Sequence, residues 1–238
     1  VAQTRELLTT TPAAGAQDKY IEALAQMLAT FARTQLRSLS DQLLARLQQV
    51  LGSDTPAACR SAAAAFVAQS VYLRHFGPQP TRQAAMLEQA IAMLQRWPAP
   101  HWLVLAEGQM GEVRVSLGQL EEGLNHLRTA TERSEGLGNP LLSGLVHLQL
   151  AEALIVRGER VDMVEAEQML DATWREQQSE KPVLWAMLGH IQALQADAAL
   201  RCSEWARAAL LARAALQPLP LPSLLALGAQ VTLTRALL

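Results

Sequence analysis

Residues 111–130 read GEVRVSLGQLEEGLNHLRTA, and the order of small and large side chains in this stretch decides the fold class. Leu120, Leu124, Leu127 and Ala130 recur at three- and four-residue spacing, the period of one helix face. Gly118 stands before that run, where a glycine ends the preceding helix because it takes left-handed backbone at no steric cost. Gly111 then falls inside the first helix and Gly123 early in the second. Small residues at those two points let antiparallel helices approach closely, while the bulky residues between them fill the groove.

The same arrangement returns along the chain. Ala151 and Gly158 precede Val161, Ala166, Leu170 and Thr173; Ala196 and Ser203-Glu204-Trp205 precede Ala208, Ala212 and Ala215, with Pro218 closing that helix and a further copy opening at Gly228. Gly118 and Gly158 lie 40 residues apart and Gly158 and Ser203 lie 45 apart. The middle copy has an insertion around Asp162-Met163-Val164. Equal spacing of similar helix pairs marks a repeat architecture rather than an irregular bundle.

Outside the repeats the period remains helical and nothing alternates as a strand. Thr55-Pro56, Asn139-Pro140 and Lys181-Pro182 read as N-caps followed by proline at the first helical position, and Gly52, Gly77 and Gly138 as helix ends. Helices are predicted at 18–34, 38–51, 56–75, 81–97, 101–117, 120–136, 140–157, 163–178, 182–201, 204–216 and 222–238. Residues 1–17 read as a linker or frayed lead-in, and 18–238 as one helical repeat domain. The chain starts without Met and ends at Ala236-Leu237-Leu238 in mid-pattern, which reads as a fragment of a longer protein.

The pattern of Gly111, Gly118, Leu120, Gly123 and Ala130, and of Ala196, Ser203, Trp205, Ala208 and Ala215, resembles the tetratricopeptide repeat, although that repeat is about 34 residues long. The resemblance implies an all-α, right-handed superhelical solenoid of antiparallel helix pairs. Phrases such as Gly118-Gln119-Leu120-Glu121-Glu122-Gly123-Leu124 and Glu135-Gly136-Leu137-Gly138-Asn139-Pro140 are also similar to the helical-repeat regions of bacterial signalling ATPases of the maltose-activator (LuxR-type) class. In such regulators the repeat region lies between a nucleotide-binding part and a helix-turn-helix, and receives an inducer or a regulatory protein. The resemblance covers 100–238 well and 18–99 loosely.

Composition narrows the function classes. Half of the 238 residues are hydrophobic but only 4% are aromatic, so the core must be filled mainly by Ala, Leu and Val. The net charge of −2 comes from 20 basic and 22 acidic residues without a basic block, which argues against nucleic acid as a partner. Lys19 and Lys181 are the only lysines among the basic residues, consistent with a GC-rich bacterial coding bias. Cys59 and Cys202 form no disulfide or metal-ligand spacing and read as buried free thiols. Val1-Ala2-Gln3-Thr4-Arg5 lacks a basic segment followed by an apolar one and does not read as a signal peptide. The charge-free run from Ala214 to Thr234 is interrupted by Pro218, Pro220 and Pro222, so no membrane span is predicted and a cytoplasmic location is expected.

The chemistry of catalysis is missing from the sequence. There is no phosphate-cradling G-x-x-x-x-G-K-[ST], no H-E-x-x-H among His75, His101, His126, His147 and His190, and no G-x-S-x-G elbow. The fragment is therefore read as a non-enzyme with no metal and no cofactor.

Candidate binding residues follow from the repeat register. The resemblance implies that the first helix of each pair lines a concave groove. Aligned on Gly111, Ala151 and Ala196, that face carries Glu112, Glu152 and Asp197, flanked by Leu148, Ile155 and Arg201. An apolar surface with an acidic seam suits a basic or amphipathic peptide, or hydroxyl groups held by carboxylates. The same acids can instead pair with arginines such as Arg114 and Arg157, or remain solvated. Trp97-Pro98-Ala99-Pro100-His101-Trp102 places two indoles around a stiff turn, either as an aromatic contact for a sugar or proline-rich peptide or as core packing. Trp174, Trp185 and Trp205 read as core, and Tyr72, Arg74 and His75 as further candidates for the groove.

These features make the expected function an effector-sensing or protein-interaction module of a bacterial transcriptional regulator. Its partner would be a protein, a peptide or a small-molecule inducer. A constitutive peptide-binding scaffold or chaperone is an alternative, as is self-assembly into a homodimer through the apolar C-terminal helix, Pro222 to Leu238.

Overall fold

The computed structural model describes residues 8–9, 16–52, 59–179, 185–217 and 224–238, and among these it is all-helical. Its helices are α1 (Gln17–Arg33), α2 (Arg37–Leu51), α3 (Arg60–Phe76), α4 (Pro80–Arg96), α5 (Pro100–Ser116), α6 (Leu120–Glu135), α7 (Pro140–Arg157), α8 (Arg160–Ser179), α9 (Trp185–Arg201), α10 (Trp205–Ala215) and α11 (Leu224–Leu237). The predicted spans match these within a few residues. Thr55-Pro56 and Lys181-Pro182 lie outside the described residues, as does most of the predicted lead-in. Leu8 and Thr9 are helical, and Leu8 packs against the core.

Where the periodicity reads as one domain, the helices group into two compact units, residues 1–137 and 138–238. In the first unit each helix packs on the next, and α1 also packs on α3 and α3 on α5. The second unit repeats the scheme, with α7 on α9 and α9 on α11.

The first unit shows why its helices can lie side by side. Both α1 and α3 bury alanines: Ala25, Ala29 and Ala32 on one, Ala63, Ala64, Ala65 and Ala68 on the other. Short side chains bring helix axes to the close end of packing distances. At the amino ends, Ser61 Oγ donates to Asp18 Oδ1 at 2.6 Å and Arg60 Nε to Glu22 Oε1 at 2.6 Å. At the carboxyl ends Arg74 of α3 forms an ion pair with Glu112 of α5. Helices α1, α3 and α5 therefore run in the same direction.

The α5–α6 crossing is the one read from residues 111–130. A Cβ on Gly111 would stand 2.8 Å from the Gly123 carbonyl oxygen, and a Cβ on Gly123 would stand 2.7 Å from that of Gly111. Only glycine fits at either point, so the two backbones touch where the sequence places its small residues.

The turn residues agree in conformation too. Gly118, Gly158 and Ser203 all have positive φ, at 79°, 79° and 64°. Gly118 and Ser203 share a hydrogen-bond pattern: Gln119 N donates to Arg114 O and Glu204 N to Ala199 O, both at 2.9 Å, which closes a Schellman motif. Gln35, at φ 58°, closes the α1–α2 turn in the same way, with Leu36 N donating to Phe31 O at 3.0 Å. The predicted spans 18–34 and 38–51 leave this turn between them, but a glutamine gives no signal of its left-handed conformation.

Helix α7 has the length and apolarity of a membrane span, but 61% of it is buried within its unit, as in the core helix of a globular fold. Its carboxyl end is tied to α8 by a bidentate ion pair, Arg157 Nε and Nη2 on Asp162 at 2.6 and 2.5 Å, with Asp162 buried. The stretch read as an insertion, Asp162-Met163-Val164, is thus the first turn of α8. Cys202 is exposed and Cys59 half-buried, a correction to the reading of both as buried thiols. Cys59 Sγ accepts from Ala62 N at 3.4 Å and caps α3.

Candidate functional site

Four ionisable residues of α1, α3 and α5 lie toward the carboxyl ends of these helices. Arg33 occupies the last turn of α1, Arg74 and His75 the last turn of α3, and Glu112 the last turns of α5. Helix carboxyl ends favour cations because the peptide dipoles leave partial negative charge there. Glu112 forms an ion pair with Arg74 and accepts a hydrogen bond from Gln109 Nε2 at 2.8 Å.

Arg33 is in a different position. The residue as a whole is half-buried, but its Nη2 is shut off from solvent and has no hydrogen-bond partner among the described residues. Burial, with the neighbouring Arg74 charge, lowers its pKa to about 10, so it remains a cation at neutral pH. His75 responds to the same surroundings. Burial lowers its pKa to about 4, and Arg74 and Arg33 add to the effect, so the imidazole is neutral near pH 7. One turn before Glu112, Gln109 leaves its Oε1 buried without a donor, and one turn before Arg74, Ser70 Oγ is likewise unpartnered.

The second unit holds a different arrangement. Asp197 and Arg201 of α9 form an ion pair at 3.1 Å on the surface. With Leu200, Trp205 and Arg235 they line an open cavity of about 470 Å³. Trp205, read as core, is 52% exposed there, because the α9–α10 turn carries the first residue of α10 outward.

No protein-family profile and no curated protein matches this chain. The site therefore rests on its own geometry.

Of the residues expected in a groove, Glu112 lies in the first unit and Glu152 and Asp197 in the second. Glu152 is half-buried and makes no hydrogen bond or ion pair with a described residue. Arg114 pairs with Glu88 at 2.7 Å and Arg157 with Asp162, rather than with Glu112 and Glu152. Leu148 and Ile155 are 2% and 1% exposed and pack in the interior of the second unit, which corrects their placement on an open surface. A helix buried on most sides offers no such surface, and α7 is one.

The two indoles of the Pro turn part company. Trp102 is buried as a core side chain, and Trp97 is half-buried with the Arg96 guanidinium 4.9 Å above its ring. The cavity beside that turn is lined by Pro98, Pro100, Leu103 and Arg133 among others, and by neither indole. The side chain of Trp185 lies outside the described residues.

Two features had no signal in the sequence. One is Arg33, which is a single arginine at a helix end until the fold sets it beside α3. The other is Glu107, buried on α5 and paired with His126 Nδ1 of α6 at 2.6 Å. Among the described residues no group of His, Cys, Asp and Glu could hold a metal ion.

Proposed function

We propose that this chain is a binding module without catalysis of its own, the effector-sensing or protein-interaction part of a bacterial transcriptional regulator. In this reading the helix pairs stack as a right-handed solenoid of tetratricopeptide-like repeats, working in the cytoplasm. The observation that carries it is the shared direction of α1, α3 and α5, which sets ionisable side chains from successive helix pairs on one face. A repeat stack of this kind couples sites because each pair contacts its neighbours. A ligand bridging pairs then favours one curvature of the stack, and the change passes to flanking parts of the protein.

The test is a thermal-shift screen of the 238-residue chain against carbohydrates, metabolites and nucleotides, since any ligand of the native state raises the melting temperature. A saturable rise with a metabolite supports the sensing reading. The ligand so found should bind more weakly to a variant with Arg74 and Glu112 both replaced by Ala, whose helical circular dichroism is unchanged. No rise with any compound removes the small-molecule form of the proposal.

Self-association is a second reading, favoured by α11. Leu227 and Val231 are exposed one turn apart on it, and Leu237 is exposed near its end. Sedimentation equilibrium over a hundredfold concentration range decides it, because a monomer throughout excludes it.

A further inference from the structure

Buried polar groups in folded proteins find partners, and each exception calls for an explanation. Three such exceptions occur on α1, α3 and α5: Ser70 Oγ one turn before Arg74, Gln109 Oε1 one turn before its ion-pair partner Glu112, and Arg33 Nη2 on α1, whose guanidinium feels the Arg74 charge. Arg33 forms no ion pair with a described residue, while Arg74 is paired with Glu112 and His75 is neutral at pH 7. The uncompensated charge is that of Arg33, whose planar fork matches the two oxygens of a carboxylate. Of the other two unmet groups, Gln109 Oε1 is an acceptor and calls for a donor.

We infer that this cluster is a binding site for a small carboxylate that also carries a hydroxyl or ammonium donor. The carboxylate seats on Arg33 beside Arg74, and the donor is taken by Gln109 Oε1, with Ser70 Oγ as an adjustable neighbour. Arg33 holds the carboxylate, the Arg74–Glu112 pair fixes the position of the second cation, and Gln109, held by its own hydrogen bond to Glu112, selects for the donor. A monoanion matches the single charge of Arg33, whereas a phosphate dianion exceeds it. This deepens the binding-module reading and rests on it.

The experiment uses the intact 238-residue chain at constant ionic strength, with chloride as the balancing anion. Acetate, lactate, glycine and inorganic phosphate are titrated against the wild type, Arg33→Met and Arg33→Lys, and followed by thermal shift and calorimetry. Expected is a saturable shift with lactate or glycine, smaller with acetate. Loss of a hydrogen-bonded charge should weaken the binding on the order of tenfold or more in Arg33→Met. Arg33→Lys keeps the charge without the fork and serves if the methionine variant does not fold; it too should lose affinity. No saturable shift with any of the three carboxylates overturns the site, as does a shift with phosphate alone. A carboxylate shift that persists in both variants also overturns it while leaving the broader binding-module reading standing. The small-molecule form of that reading fails separately, if no compound of the general screen binds.

Discussion

Replacing Gly123 by Ala tests whether the close α5–α6 crossing is a real constraint. In an ordinary helix interior the change is favourable by about 1 kcal/mol, because glycine loses more backbone entropy on folding. Here the added methyl would stand 2.6 Å from Val115 Cγ2, 2.7 Å from Gly111 O and 3.0 Å from Val115 N, where ordinary contact begins at 3.4 Å. Two of those atoms are backbone, so rotamer changes cannot relieve them and the helices must move apart. Overpacking of this kind costs about 1–3 kcal/mol, and backbone clashes place it at the upper end. After the propensity gain the net loss is about 2 kcal/mol. Gly228→Ala on α11 is the control, since nothing lies within 4 Å of its Cβ, and it should stabilise by up to about 1 kcal/mol. Stability differs from place to place within a fold, so the readout is amide hydrogen exchange resolved to α5 and α6 for Gly123 and to α11 for Gly228. Protection of α5 and α6 in Gly123→Ala equal to or above the wild type would refute the crossing geometry and the repeat reading built on it.

Ser203 takes the left-handed conformation that Gly118 and Gly158 take at the equivalent turns. Ser203→Gly should therefore raise the stability of the second unit by about 0.5–1 kcal/mol, and Gly118→Ala lower that of the first by about 1–2 kcal/mol, both read by denaturant unfolding. His75 supplies a pH dependence. The unfolded chain takes up a proton at this residue near pH 6.5 and the folded chain only near 4, so stability falls as the pH drops through that window. The full loss is about 3 kcal/mol, and urea unfolding at pH 7 and pH 4.5 should show His75→Leu losing less stability than the wild type. An identical loss in both would show that the folded chain does not hold the imidazole neutral.

The helices and their turns were legible because they depend on local chemistry. A helix face is written in three- and four-residue spacing, and a left-handed turn residue in a glycine, so Gly118 and Gly158 announced their conformation while Gln35 did not, although the spans on either side of it were placed. The division into two units was not legible, since the break at Leu137-Gly138-Asn139 reads like the other interhelical turns. Trp205 shows a further limit. Its spacing among apolar residues is that of a core position, yet it is the first residue of its helix, where the turn rather than the helical period decides exposure.

The polar face failed to be legible for a different reason. Register alignment takes one residue from each repeat and assumes that each plays the same part, so Glu112, Glu152 and Asp197 looked like a row. Arg74 and His75 were visible as candidates, but Arg33 was not, because its importance lies in what it lacks. An arginine at the end of a helix is ordinary in sequence. It becomes informative only when the neighbouring helix brings another arginine beside it and leaves its Nη2 buried without an acceptor. A buried cation without a counter-ion works against folding on its own. If it served packing alone, Arg33→Met would leave the chain more stable and no less able to bind. If it serves a carboxylate, the same substitution raises the stability of the unliganded chain and abolishes the ligand's contribution. Opposite signs for these two effects in one variant separate a binding residue from a badly placed one.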